Sequence, residues 1–233
     1  MNVDTEGFNK AMKESKDKAK LAWKGSGDDV VDKIWFNIKE KINSTEFLGY
    51  EKDKSEGIIL SLIKKGNEVN EIKAGDEAEI ITNQTPFYAE SGGQIGDIGT
   101  IFNNNAKFQV YDTQKKLSDI HVHNGKLTEG NLKINEPVNL SIDKKRRENI
   151  KAYHSATHLL HEALRRTLGK HVMQKGSFVG PDKLRFDFSH IKPIEDSEIK
   201  KIEEYVNRII NTNSDVRTRL MTPKEAVNSG ALA

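Results

Sequence analysis

Apolar residues recur along this chain with two different periods, and the period changes twice. Over residues 4–24, Phe8, Ala11, Met12, Ala19, Ala22 and Trp23 fall mainly on one side with lysines elsewhere, which predicts a helix. Gly25-Ser26-Gly27-Asp28-Asp29 breaks it. A second helix is expected over about 30–43, where Val31, Ile34, Trp35, Ile38 and Ile42 keep helical spacing. Two such helices cannot bury enough surface alone, so the pair must pack on something else.

From 46 to 142 the texture becomes β. Short runs such as Gly57-Ile58-Ile59-Leu60-Ser61-Leu62-Ile63, Ala78-Glu79-Ile80-Ile81, Lys107-Phe108-Gln109-Val110-Tyr111 and Val138-Asn139-Leu140-Ser141-Ile142 alternate with turn residues. Gly66-Asn67, Gly75-Asp76 and Asn103-Asn104-Asn105 supply the turns. Many short strands at this spacing predict a small antiparallel barrel or sandwich.

The helical period returns at about 143. Asp143 suits an N-cap and Gly169 the residue beyond a helix end. A hairpin is expected next, from strands 171–179 and 184–189 around Gly180-Pro181-Asp182-Lys183. Helix 196–212 buries Ile199, Ile202, Val206, Ile209 and Ile210, and a strand is expected near 215–220. Thr222-Pro223-Lys224-Glu225 reads as a capping box with proline at the first helical position. The helix it opens has little chain left, which is expected of a truncated domain. The fold class is thus α+β: a helical pair (1–45), an antiparallel β-barrel (46–142) and a helix/β-hairpin core (143–233), compromised towards its end.

Composition narrows the function classes. The 233 residues are 35% hydrophobic and 31% charged, with net charge +2, so bulk charge announces no polyanionic partner. Local charge says more: Lys144-Lys145-Arg146-Arg147 stands at a helix start, against the macrodipole, with Arg165 and Arg166 further along. That placement hints at phosphate contacts, with a solvated face as the ordinary alternative. Zero cysteines fit a cytoplasmic chain, no apolar run approaches a membrane span, and no secretory signal follows Met1.

Two constellations carry chemistry. His154 and His158 are four apart on a helix and project from one face, the spacing with which a helix offers two nitrogens to one zinc ion. Spacing alone leaves open two histidines with backbone or water partners. His161, a turn on, reads as a neighbour, since three ligands from one straight helix strain tetrahedral geometry. The second is loop 85–99, with Glu90, Ser91, Gly92, Gly93 and Gln94 followed by Gly96 and Gly99. Its glycines permit close backbone approach to a phosphate or ribose, or simply serve barrel turns. No Gly-Lys-Ser/Thr follows, so it is not a P-loop. Gln174 could aim an amide at a bound carbonyl or sit solvated on its strand.

Taken together these segments resemble one family. Thr85-Pro-Phe-Tyr-Ala-Glu-Ser-Gly-Gly-Gln94 with Gly96-Asp97-Ile98-Gly99 resembles the opening motif of the alanyl-tRNA synthetase editing domain. His154-Ser-Ala-Thr-His158-Leu-Leu-His161, Gln174-Lys-Gly-Ser177 and Leu184-Arg-Phe-Asp-Phe-Ser-His190 look like that domain's core, in order and spacing. Residues 4–45 are similar to the helical segment before it. The resemblance implies an internal fragment with a translation-factor-like barrel and an incomplete editing core. It implies hydrolysis of tRNA(Ala) mischarged with serine or glycine at the aminoacylated 3′ end. A pocket that selects alanine by size discriminates poorly against both, so a second sieve is needed. It implies zinc on His154 and His158, with the other two of four ligands absent here. Thr157 and Gln174 match positions that shape the aminoacyl pocket, and Glu90 to Gln94 the substrate-binding loop. ATP and Mg belong to an activation domain absent from the chain. The fragment alone is expected to bind zinc weakly and deacylate poorly. The alternatives are a freestanding trans-editing deacylase, a threonyl-type editing domain, and a tRNA-binding module without catalysis; oligomeric state is not readable.

Overall fold

The computed structural model describes residues 28–42, 44–215, 219 and 221–231. In chain order the elements are α1 (Asp28–Lys41), β1 (Glu46–Phe47), β2 (Lys54–Lys64), β3 (Asn67–Val69), β4 (Glu71–Lys73), β5 (Glu77–Thr82), β6 (Gln84–Thr85), β7 (Gly99–Phe102), β8 (Lys107–Lys116), β9 (Ile120–Glu129), β10 (Asn131–Lys133), β11 (Pro137–Ile142), α2 (Lys144–Leu168), β12 (Gln174–Val179), β13 (Leu184–Phe188), α3 (Asp196–Asn211) and α4 (Pro223–Asn228). The helix expected over 4–24 lies outside the described residues, as does most of the strand expected near 215–220. The chain divides into two compact units, residues 1–150 and 151–233.

The first unit is built on a closed six-stranded antiparallel barrel. Strand β2 pairs β5, then β9, β8, β7 and β11 follow, and β11 returns to β2. Closure leaves this ring no free edge. Period-2 alternation decides what fills it: along β8, Phe108 and Val110 point inwards between exposed Lys107, Gln109 and Tyr111. Ile59, Leu62, Ile80, Ile101, Phe108 and Leu127 are fully buried inside. Each such side chain contributes about 1.5–3 kcal/mol of burial. The β8–β9 register shifts between Val110 and Asp112, a bulge that sets Tyr111 on the outside, 55% exposed.

Helix α1 explains where the expected apolar helical stripe goes. It lays Trp35 and Ile38 on a second cluster formed by Ile63, Ile81, Ile120 and Val122. Two buried histidines from β9 lock the strands beside it. His123 Nδ1 lies 2.8 Å from the Ile80 carbonyl, which can only accept, so that nitrogen carries the proton. Its Nε2 then accepts from the Thr85 hydroxyl at 2.8 Å, while Thr85 Oγ1 accepts from Phe87 N–H. Full burial pushes the His123 pKa down to about 4, so the ring is neutral.

The second unit is a helix, a hairpin and a covering helix around Ala163, Leu164, Val172 and Ile202. Strands β12 and β13 pair antiparallel, and Gly180 N–H donates to the Lys183 carbonyl to close the expected turn. Helix α4 starts at the predicted capping box: Thr222 Oγ1 accepts from Glu225 N–H, and the Glu225 carboxylate accepts from Thr222 N–H at 2.8 Å. No described helix is long and apolar enough to cross a membrane.

Candidate functional site

The glycine loop holds a hydrogen-bonded reverse turn. Ser91 and Gln94 exchange backbone hydrogen bonds of 3.1 and 3.0 Å, and Gly92 and Gly93 between them have φ of +60° and +84°. Positive φ at both central positions is the type I′ requirement, which glycine meets without strain. The Ser91 and Gln94 amides are therefore committed to each other rather than offered to a phosphate. The later glycines serve packing instead: a Cβ at Gly96 would lie 2.1 Å from the Thr113 carbonyl, and one at Gly99 2.2 Å from that of Ser141. Glu90 accepts from the Gln114 side-chain amide at 2.7 Å, and Gln94 is buried.

A buried ion pair holds this loop to the start of α2. Asp143 caps that helix as expected, accepting from Arg146 N–H at 3.0 Å. One turn in, Arg147 points inwards with Ile150. Its Nε donates to both Asp97 oxygens at 3.0 and 2.9 Å, Nη1 to the Gly49 carbonyl at 2.8 Å, and Nη2 to Asp97 and the Pro86 carbonyl. Asp97 also accepts from Tyr88 N–H at 2.7 Å. Both charges are more than nine-tenths buried and each has several hydrogen-bond partners, the condition under which a buried pair is tolerated. The basic block is thus split. Arg147 is structural, Arg146 reaches the Gly96 carbonyl at 2.9 Å, Lys144 pairs with Asp53 at 3.1 Å, and Lys145 is exposed.

Within the second unit, α2 brings the expected histidine pair together. The His154 and His158 rings stack with centroids 5.1 Å apart and planes inclined by 26°. His158 is exposed and His154 half-buried. Burial, then the neighbouring His158 charge, depresses the His154 pKa and favours the neutral, ligand form. Thr157 is buried, and its hydroxyl donates back to the Tyr153 carbonyl at 2.8 Å, so towards a ligand it can act only as acceptor. Gln174 opens β12, exposed, opposite Phe188 in the register.

His161 does not join the pair as a third ligand. Its ring tilts over Phe186, with centroids 5.0 Å apart. No group of three His, Cys, Asp or Glu side chains able to hold a metal exists among the described residues. A cleft of about 310 Å³ on the barrel, lined by Glu79, Tyr111, Asp112 and Asn124 among others, contains none of the expected site residues.

Sequence reasoning missed the Asp97–Arg147 clamp and the His123–Thr85 lock. The available signal was Arg147 in register with Ile150 on an inward helix face, and Asp97 among glycines and isoleucines.

Comparison with known proteins fixes the family. The model of the tRNA synthetases class II (A) matches residues 1–146. The chain belongs to that family. Over 234 residues it is 53% identical to the alanine–tRNA ligase of Parvibaculum lavamentivorans, covering 100% of this chain and 26% of that protein. It is 49% identical over 233 residues to the alanine–tRNA ligase of Chelativorans sp., again covering 100% of this chain and 26% of the relative. This class II (A) chain therefore spans about a quarter of the length of the curated relatives it matches.

Proposed function

We propose that this chain is the proofreading portion of an alanine–tRNA ligase and takes part in hydrolysing Ser-tRNA(Ala) and Gly-tRNA(Ala). The observation that carries the reading is the side-by-side pair of His154 and His158, one of them partly desolvated, on the face of one helix. The donor set fits zinc as half of a tetrahedral site: two imidazoles at helical i, i+4 spacing with their rings side by side. When bound, the ion supplies Lewis acidity or fixes the tRNA end. The chain's own residues do the rest. Thr157, one position before His158, presents lone pairs that a seryl hydroxyl can donate to, and alanine has no such hydrogen to offer. Gln174 orients the aminoacyl carbonyl. In the barrel unit the turn 90–94 offers the tRNA a preformed backbone, because Asp97 and Arg147 fix its base. Aminoacylation, with its ATP and Mg, belongs to other parts of the ligase, and tRNA(Ala) is the partner.

The reading is tested with Ser-tRNA(Ala) and the intact ligase. His154→Ala and His158→Ala should each abolish zinc retention and reduce deacylation by two or more orders of magnitude, roughly the effect of losing metal-assisted chemistry. Thr157→Val should slow Ser-tRNA hydrolysis while leaving zinc content intact. Full deacylation by the double histidine variant would overturn the proposal.

A further inference from the structure

Two features of the barrel unit take no part in that reading: an aromatic ladder that ends in an exposed ring, and the solvent-facing lysines of the basic block. Phe47 is the ladder's hub. It stacks on His121 at 5.3 Å and meets Tyr50 and Tyr88 edge-on, at 5.0 and 6.0 Å. At one end Tyr50 is 64% exposed, a large ring left in water. At the other, the Tyr88 hydroxyl donates to the Ser91 carbonyl at 3.1 Å, which places the ladder against the type I′ turn.

The segment that carries Tyr50 is fastened to the basic block at two points. Arg147 Nη1 binds the carbonyl of Gly49, next to Tyr50, and Lys144 Nζ reaches Asp53. The segment 49–53 that carries the exposed ring is therefore tied to the start of α2, where the side chains of Lys144 and Lys145 face solvent. An accessible aromatic face next to lysines held on a helix is what an unpaired nucleotide uses: the base stacks and the phosphate meets the cation. A duplex, with its bases already stacked on each other, cannot use the ring.

We infer that Tyr50, backed by Phe47, forms with Lys144 and Lys145 a stacking platform for an unpaired nucleotide of the tRNA 3′ tail, feeding the turn at Gly92 and Gly93. The inference rests on the proposed role of that turn but not on zinc or hydrolysis. It can therefore fail or stand independently of them.

Fluorescence anisotropy of the chain with an uncharged tRNA(Ala) transcript, in the presence of chelator, tests it. Tyr50→Ala should weaken binding about tenfold, whereas Tyr50→Phe, which keeps the π-face, should stay within about twofold. Lys145→Ala should lower the slope of log K against log salt by about 1. A transcript trimmed to a blunt acceptor end should bind the unmodified chain as weakly as the tailed transcript binds Tyr50→Ala. Equal affinity for tailed and blunt transcripts, unchanged binding by a folded Tyr50→Ala chain, or an unchanged salt slope in Lys145→Ala would each overturn the platform. The last two outcomes would instead leave the exposed ring to a protein partner.

Discussion

The two units use histidine in opposite ways, and the contrast separates structure from chemistry. In the barrel unit His123 is sealed between Thr85 and Ile80 and His121 donates its Nδ1–H to the Phe87 carbonyl, so these buried ring nitrogens are spent on holding the unit together. In the helix–hairpin unit His154 and His158 face each other at a surface, and His171 Nε2 and His190 Nδ1 approach to 2.9 Å on the hairpin side. The cores differ in the same sense. The barrel closes over six or more fully buried large side chains, whereas around Ile202 much of the cluster is only partly covered, and Ile191 is 94% exposed. A closed ring can satisfy polar groups internally and hold them inert. An open layer leaves them able to meet a ligand.

The largest effect should come from breaking the clamp inside the barrel unit. Arg147→Met leaves Asp97 charged and buried without its partner, and should cost about 3–5 kcal/mol, read as a lowered urea midpoint. An unchanged midpoint would show that the closed unit does not depend on the clamp. Next, Phe108→Ala should cost about 3–5 kcal/mol against about 2–3 for Ile202→Ala, because the barrel cannot collapse around the void as the open layer can. Equal losses would erase the contrast in packing.

The pH response sharpens the contrast in histidine use. His123 has a folded pKa of about 4, below its ordinary value near 6.5, because burial disfavours the charged ring. The unfolded state thus binds the extra proton more readily, and stability falls as pH drops from about 6.5 to about 4. The loss should total roughly 3 kcal/mol, with His121, also depressed by burial, acting in the same direction. His123→Leu with Thr85→Val should flatten that part of the profile, measured by thermal unfolding at each pH. The smallest effect belongs to the turn: Gly92→Ala has room for its Cβ but must hold φ near +60°, costing about 1–2 kcal/mol.

Much of the architecture was legible in periodicity. The alternation in β8, the Asp143 cap, the 180–183 turn and the Thr222 capping box all stand where local pattern placed them, since each depends on residues a few positions apart. The glycine loop was only half legible. Its glycines marked positive φ and close approach, but composition could not say that Gly92 and Gly93 make the turn while Gly96 and Gly99 let strands touch. The basic block was misleading as a unit, because one residue's helical phase decides whether a cation faces water or the core.

The sequence by itself determined the strands, helices and caps and the spacing that sets His154 over His158, because these follow from backbone periods and steric preference. Only the tertiary structure decided that β11 closes onto β2, that Arg147 is spent on Asp97, and that Lys144 pairs with Asp53. Those facts join residues tens of positions apart, and their energies come from burial and desolvation, which exist only once the chain has packed.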